Sequence, residues 1–173
     1  MQWPHSALVS SGKDEIMEQS VREDIDLTLA SEATENRLAT SFVKIGGRSS
    51  QTPLEGAVLE ACVQQSGQYL VFLTDDIPYE DSLHIHLLDC NLSIQDSVTL
   101  GTAYTTGSFR NLDLAEDGSI TFEFFGGNAW KVSVLSEKRL RIPYISGPLG
   151  VSWGKGLLHR LDLRSACSLV SEG

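Results

Sequence analysis

Apolar and polar side chains alternate with a period of two over most of the chain after residue 56. Residues 57–65 (AVLEACVQQ) and 68–76 (QYLVFLTDD) flank a Ser-Gly dipeptide, and residues 83–90 and 92–100 flank a single asparagine. Two alternating runs joined by such a short connection are typical of a β-hairpin, because a period of two places alternate side chains on opposite faces of a sheet. The pattern therefore predicts two antiparallel hairpins in succession.

Four further runs extend this pattern and are separated by turn-forming sequences. They span residues 109–114, 119–125, 129–135 and 140–145, and the charged tetrapeptide SEKR forms the predicted turn between the last two. We therefore expect an antiparallel meander over residues 57–145. Faces with a period of two are buried when sheets stack or close, so the expected fold is mainly β, with about eight to ten strands in a sandwich or an open barrel.

Residues 1–50 are less regular and combine a helical pattern with an alternating one. Residues 11–23 begin with a capping serine and repeat apolar side chains near helical spacing, which predicts a short N-terminal helix. Residues 25–29 then alternate strictly, and we expect them to form a hairpin with residues 38–47. The C-terminal segment, residues 146–173, contains two or three short strand-like runs.

A length of 173 residues, with 41% hydrophobic and 21% charged residues, suits one folded domain, so we expect residues 1–173 to form a single domain. The chain starts without a basic region followed by an apolar run, and it contains no stretch of about 18 apolar residues. We therefore expect a cytoplasmic protein that does not contact membranes. Cys62, Cys90 and Cys167 are an odd, widely spaced set, which predicts buried free thiols rather than disulfides or a zinc site.

Charge is distributed unevenly along the chain, whose formal net charge is −10. Residues 1–60 carry ten acidic and five basic side chains, residues 61–128 carry ten and one, and residues 129–173 carry three and seven. An acidic middle segment repels the phosphates of nucleic acids, so direct nucleic-acid binding is not expected. The same segment would attract a basic protein, although acidity also serves solubility, and the pattern leaves both interpretations open.

The segment TDDIPYEDSLHIHLLDC (residues 74–90) concentrates carboxylates and histidines. His84 and His86 are two residues apart, so on a strand they share a face and suit a zinc or iron site with one added carboxylate. No third ligand has a fixed spacing to them, and polar residues commonly fill the solvated face of a half-buried strand. We therefore expect a solvated strand face beside an acidic surface loop, and no metal or other cofactor.

No motif for a specific reaction occurs in the chain. The P-loop spacing and the nucleophile elbow G-x-S-x-G are both missing, and the chain has only four histidines as candidates for a general base. We therefore expect a binding protein and not an enzyme.

The expected partner is a basic protein, and the most concrete hypothesis is a bacterial immunity-type inhibitor that covers the active site of a toxin domain, such as a nuclease. Tyr79 is the expected anchor, because tyrosines are enriched in interfaces. The acidic residues expected to bind the partner are Asp75, Asp76, Glu80, Asp81, Asp96, Asp113, Glu116 and Asp117. The alternative is a small β-barrel or sandwich that binds a small molecule or a metal through His84 and His86, with or without hydrolytic activity.

Overall fold

A computed structural model describes residues 19–77, 80–101, 107–125, 128–142 and 150–166. All strand pairings in these residues are antiparallel, so the prediction of a mainly antiparallel β fold is confirmed. The strands of the described residues are β1 (Gln19–Val21), β2 (Ile25–Ser31), β3 (Thr40–Ile45), β4 (Arg48–Ser49), β5 (Leu54–Glu55), β6 (Val58–Gln65), β7 (Gln68–Thr74), β8 (Leu83–Leu88), β9 (Ile94–Leu100), β10 (Arg110–Leu114), β11 (Ile120–Glu123), β12 (Ala129–Leu140), β13 (Val151–Trp153) and β14 (Leu158–Ala166).

The strands form three sheets. The central sheet has the strand order β1-β6-β7-β8-β9-β13, the N-terminal sheet contains β2, β3, β4 and β5, and the C-terminal sheet has the order β10-β11-β12-β14. The two predicted hairpins are confirmed as the four middle strands of the central sheet, β6 to β9. Ser66 and Gly67 both have positive φ, at 49° and 73°, and this is the conformation that a two-residue hairpin turn of type I′ requires.

One face of the central sheet packs on the C-terminal sheet. The core between them includes Phe72 and Ile85 from the central sheet and Phe122 and Leu161 from the C-terminal sheet, all almost fully buried. The rings of Phe72 and Phe122 meet edge to face, with their centroids 5.6 Å apart. This core determines how the C-terminal half of the chain lies on the central strands.

The opposite face of the central sheet packs on the N-terminal sheet. Val71 and Leu73 of β7 share a second core with Val43, Ile45 and Leu54 of the N-terminal sheet. The central sheet is therefore covered on both faces, and every side chain of β8 is buried. This stack of three sheets, with fourteen strands among the described residues, differs from the expected eight to ten strands in two layers or a barrel.

The prediction of a short helix over residues 11–23 is not supported. Residues 1–18 lie outside the described part of the chain, and Gln19–Val21 pair with β6 as a strand, because a sheet ladder overrides a weak helical preference. The described residues include no helix, and so none that is long and apolar enough to span a membrane.

The predicted turn at residues 136–139 is wrong, because β12 continues through them as far as Leu140. Val134 pairs with Leu161 and Arg139 pairs with His159, so five steps along β12 correspond to two along β14. The charged residues between them form a bulge in the sheet instead of a turn that ends the strand.

The cysteines fulfil the expectation only in part. Cys62 is buried, and burial raises the pKa of its thiol to about 12. Cys90 is exposed in the connection between β8 and β9, so the prediction of burial is wrong for this residue. Cys167 lies outside the described residues.

Candidate functional site

The connection from β7 to β8 gathers carboxylates at one end of the central sheet. Asp75 directly follows β7, and its backbone N–H donates to Oδ1 of Asp81 at 2.9 Å. Glu60 is the residue of β6 at which the pairing with β7 shifts, and its Oε1 accepts a hydrogen bond from the hydroxyl of Thr74 at 2.8 Å. Its carboxylate therefore lies at the same end of the sheet. We define the acidic end as the carboxylates around Asp75 that are exposed or half-buried: Glu55, Glu60, Asp76, Glu80 and Asp81.

Like charges crowd together at the acidic end. Burial raises the pKa of the Asp81 carboxyl above its ordinary value, and the charges of Asp75 and Asp76 raise it further, while hydrogen bonds from their backbone N–H groups oppose the shift. The chain contains no Lys or Arg between Arg48 and Arg110. The segments that supply these carboxylates therefore carry no basic side chain of their own, and a cation brought close to them would be stabilised.

Three of the predicted partner-binding residues, Asp113, Glu116 and Asp117, lie at the opposite end of the central sheet. The adjacent carbonyl oxygen of Gly118 accepts a hydrogen bond from Nε2 of Gln65 at 3.0 Å, and Gln65 ends β6 beside the β6–β7 turn. The seven residues of β7 separate the two ends by about 20 Å, at roughly 3.3 Å per residue. The structure does not bring these three residues into one surface with the acidic end.

Asp75 is buried, unlike the residues of the acidic end, and contacts the interior of the fold. It is 3% exposed, and its Oδ1 accepts a hydrogen bond from Nε2 of His84 at 2.8 Å. Nδ1 of His84 contacts the hydroxyl of Thr99 at 2.9 Å and lies 3.9 Å from Oε2 of Glu55. The Asp75 side chain thus anchors the acidic end on the central sheet.

Asp96 is also buried, and it joins two sheets. It lies on β9, is 7% exposed, and faces the start of β14. Its carboxylate accepts four hydrogen bonds at 2.7–2.8 Å, from the backbone N–H groups of Ser97, Arg160 and Leu161 and from Nδ1 of His159. Because all of its donors belong to this chain, Asp96 serves the contact between the central and C-terminal sheets.

His84 and His86 share one face of β8, as their spacing predicts, but this face is not solvated. His84 is 0% and His86 3% exposed, because β5 of the N-terminal sheet covers them. The carbonyl oxygen of Glu55 in β5 accepts a hydrogen bond from Nε2 of His86 at 2.9 Å. The prediction of a solvated strand face is therefore wrong, since the sequence does not reveal the third sheet.

The hydrogen bonds of His86 determine its protonation. Because Nε2 donates to a carbonyl oxygen, Nδ1 is left to accept from the hydroxyl of Ser97, at 2.9 Å. Burial lowers the pKa of His86 to about 4, with the neighbouring His84 lowering it further. His86 is thus a neutral, fully hydrogen-bonded side chain at neutral pH.

These contacts do not suit a metal site. A histidine ligates a metal through a free nitrogen lone pair, and each ring nitrogen of His84 and His86 already has a hydrogen-bonding partner. Across the ranges that the structure describes, no three His, Cys, Asp or Glu side chains are grouped so that they could hold a metal ion. The geometry therefore does not favour the alternative of a metal bound through this pair.

A chain of hydrogen bonds runs from Asp75 through His84 to Thr99. Its groups have the same order as the carboxylate, imidazole and hydroxyl of a catalytic triad. In such a relay the imidazole passes a proton from the nucleophile to the leaving group, so it must reach the substrate. The His84 side chain is completely buried and cannot do so. The relay is therefore a set of interior hydrogen bonds that connects β7, β8 and β9.

Two recesses border β13, at the edge of the central sheet. The first has a volume of about 520 Å³ and includes Glu55, Ser97 and Trp153 in its lining. The second, of about 220 Å³, includes Arg141, Trp153 and His159. Trp153 lines both recesses, and Glu55 of the acidic end borders the first of them, whereas no residue of the acidic end lines the second.

Comparison of the chain with protein-family models, with curated proteins and with solved structures gives no match. The function therefore has to be argued from the residues of this chain.

Sequence reasoning missed Glu55 and Glu60 as members of the acidic end. The hairpin turn at Ser66 and Gly67 could have revealed Glu60, because counting back along both strands places it close to Thr74. No comparable signal exists for Glu55, which reaches the site from another sheet. Tyr79 lies outside the described residues, and its role as an anchor stays a prediction.

Proposed function

We propose that this protein is a non-enzymatic binding module that docks a basic protein surface through its acidic end. The observation that carries the proposal is the crowding of carboxylates around Asp75, where burial raises the pKa of Asp81 and the charges of Asp75 and Asp76 raise it further. Bringing positive charge to such a group is favourable, since it relieves the repulsion between like charges.

The acidic end is also held in place before any partner arrives. Asp81 accepts a hydrogen bond from the backbone N–H of Asp75, and Glu60 accepts one from the hydroxyl of Thr74. A hydrogen bond from His84 holds the Asp75 carboxylate in place. A surface that is already ordered loses little conformational entropy on binding. These contacts support a docking role in which the carboxylates keep their spacing in the free protein.

The more specific form of the proposal is an immunity-type inhibitor in the cytoplasm that covers the cationic active site of a toxin domain. Carboxylates spaced along a rigid edge can occupy the positions that phosphates occupy in the substrate of a nuclease. If the protein is such an inhibitor, its partner is an enzyme with a basic active site, and adding the purified protein abolishes the activity of that enzyme.

The test compares two variants that remove the same amount of charge. Asp76→Asn with Glu80→Gln neutralises two carboxylates of the acidic end, and Asp113→Asn with Glu116→Gln neutralises two at the opposite end. Asparagine suits the positive φ of Asp76, at 58°, so the first variant is expected to fold normally. The partner is captured from an extract of the source organism by the wild-type chain and identified by mass.

Association rates with the purified partner are then measured for the three proteins at low and high salt. The first variant is expected to associate about fivefold more slowly or worse, and the second at the wild-type rate, with added salt slowing the wild type. Equal rates for both variants, or rates that ignore salt, would mean that the acidic end is not the docking surface.

A further inference from the structure

The smaller recess lies beside β13 and is lined by aromatic and cationic side chains. Its volume is about 220 Å³, and its lining includes Arg141, Trp153 and His159. Ser152 and Gly156, which also line it, are exposed, so the recess opens to solvent. None of these residues belongs to the acidic end, so a ligand bound in the recess does not depend on docking at that end.

Two hydrogen-bond donors on side chains that line this recess lack an acceptor. Nε of Arg141 and Nε1 of Trp153 are both buried, and neither has a partner within the described part of the chain. The third polar side chain, His159, cannot accept from them, because its ring nitrogens contact Asp96 and the carbonyl oxygen of Gly156. A buried N–H without an acceptor costs about 1–3 kcal/mol, so unpaired donors in a native structure call for an acceptor.

The two donor side chains are in contact and are held in a defined arrangement. The guanidinium carbon of Arg141 lies 4.0 Å from the centre of the Trp153 ring, which is the geometry of a cation–π contact. Nη2 of Arg141 donates to Oδ1 of Asp162, and this ion pair fixes the rotation of the guanidinium group. Both side chains are therefore ordered before any ligand binds.

Two guanidinium groups lie beside the recess and share one carboxylate. Asp162 is shared between Arg141 and Arg164, whose Nε donates to Oδ2 of Asp162 at 2.7 Å, so one carboxylate faces two guanidinium groups. Lys155 lines the adjoining larger recess together with the carboxylates Glu55 and Asp96. An acceptor that carries negative charge would be favoured here over a neutral one.

Exposed aliphatic side chains lie close to Arg141 along the chain and in the adjoining strand ladder. The backbone N–H of Arg141 donates to the carbonyl oxygen of Leu157 at 2.8 Å, which brings the two chain segments together. Ile142 is 51%, Leu157 54% and Leu158 57% exposed. Large exposed aliphatic side chains next to a polar recess provide apolar contact for the part of a ligand that carries its polar group.

We propose that this recess binds a carboxylate group carried on an aliphatic chain. The carboxylate oxygens accept hydrogen bonds from Nε of Arg141 and Nε1 of Trp153. The aliphatic chain of the ligand contacts Ile142 and Leu157. Both a small organic acid and the C-terminus of a peptide that ends in an aliphatic residue carry this chemistry.

The test follows the indole N–H signals of the isotope-labelled full chain by nuclear magnetic resonance. The protein has three tryptophans, Trp3, Trp130 and Trp153, and Trp153→Phe assigns the third signal by removing it. Addition of 4-methylpentanoate is expected to move the Trp153 signal in a saturable manner and to leave the other two unchanged. The isosteric 4-methylpentanamide, which lacks the charge, is expected to bind at least about tenfold more weakly.

Variants separate the carboxylate site from a general effect. Binding to the variants is followed through the backbone amide signals of the labelled chain, because Trp153→Phe has no indole signal at this position. Arg141→Lys keeps the charge but lacks Nε, and Trp153→Phe keeps an aromatic ring but lacks the N–H, so each is expected to weaken binding about tenfold. Trp130→Phe is the matched control, because Nε1 of Trp130 already donates to the carbonyl oxygen of Phe124 at 3.2 Å. A dispersed spectrum shows that each variant is folded.

The peptide N-acetyl-Gly-Leu and its C-terminal amide distinguish the two sources of the carboxylate. Tighter binding of the free-acid peptide than of 4-methylpentanoate assigns the recess to peptide C-termini, and weaker binding assigns it to small acids. No movement of the Trp153 signal up to about 50 mM acid, equal binding of acid and amide, or unaltered binding by Arg141→Lys and Trp153→Phe would overturn the proposal.

Discussion

The Asp96 carboxylate and the His159 imidazole lie 2.8 Å apart, although 63 residues separate them along the chain. Nε2 of His159 contacts the carbonyl oxygen of Gly156 at 3.2 Å, so both ring nitrogens face acceptors. The pair connects the central sheet to the C-terminal sheet through a hydrogen bond in a buried position.

Asp96→Asn is expected to destabilise the protein by about 3 kcal/mol or more. The substitution removes the negative charge beside His159 and places an NH₂ group among the four donors that the carboxylate now accepts. Unfolding by urea measures the change. Asp113→Asn on the exposed part of β10 is the matched control and should stay within about 0.5 kcal/mol of the wild type. Equal stabilities of the two variants would contradict the role given to Asp96.

The stability of the protein is expected to fall between about pH 6.5 and pH 4 because of His86. Its pKa is lowered by burial from 6.5 to about 4, so in this range the unfolded chain binds a proton that the folded chain does not. The contribution is fully present above pH 6.5 and is lost as the pH falls towards 4, by about 3 kcal/mol at most.

His86→Gln, which cannot titrate, measures that contribution. The difference in unfolding free energy between wild type and variant is expected to shrink steadily as the pH is lowered from 7 to 4, in urea titrations at several pH values. If the two stability profiles run parallel over this range, His86 is not the titrating group.

Cys62 is expected to be inert to thiol reagents in the folded protein. It is 1% exposed and burial raises its pKa to about 12, so hardly any reactive thiolate is present at pH 8. Cys90→Ser with Cys167→Ser leaves Cys62 as the remaining thiol, and this variant should be labelled only after denaturant is added. The single variant Cys167→Ser, which keeps the exposed Cys90, should be labelled without it. Rapid labelling of Cys62 in buffer would show that the second core opens readily.

Gly56→Ala is expected to cost about 2 kcal/mol or more in unfolding free energy. Gly56 has a φ of 121°, and a methyl group there would lie 2.4 Å from Cβ of the buried Leu73. Gly67→Ala is the matched control, because Gly67 also has positive φ but has open space around it, and it should cost about 1 kcal/mol. If both variants lose the same unfolding free energy, the positive φ alone explains the loss, and the predicted clash with Leu73 does not contribute.

The sequence predicts the strands of the central hairpins because their turn and alternation are local. It does not predict that β7 and β8 are covered on both faces, although the run YLVFL (residues 69–73) is nearly continuous in apolar side chains, as strands buried on both faces are. The positions of His84 and His86 predicted a solvated strand face. The sequence does not show that these two side chains find hydrogen-bonding partners inside the protein, at Thr99, Ser97 and Glu55.

The candidate site was predictable to the extent that it is local. Asp76, Glu80 and Asp81 are close in sequence, and they are part of the acidic end. Asp113 and Glu116 also belong to the acidic middle of the sequence, but the length of a strand separates them from the others. Net charge along a chain carries no information about which end of a sheet a residue occupies, so that distinction needs the three-dimensional fold.

Burial alone cannot fix the alignment of a strand such as β8, which is buried on both faces, because a slip of one residue would exchange one buried face for another. His84 lies directly opposite Thr99 and His86 directly opposite Ser97 in the ladder between β8 and β9. After a one-residue slip, neither imidazole would meet its hydroxyl, and both would be buried in the apolar core that Phe72 shares with the C-terminal sheet. The two histidines therefore act as selectors of strand alignment, and replacing both with leucine should give a chain that collapses readily but populates more than one pairing of these strands.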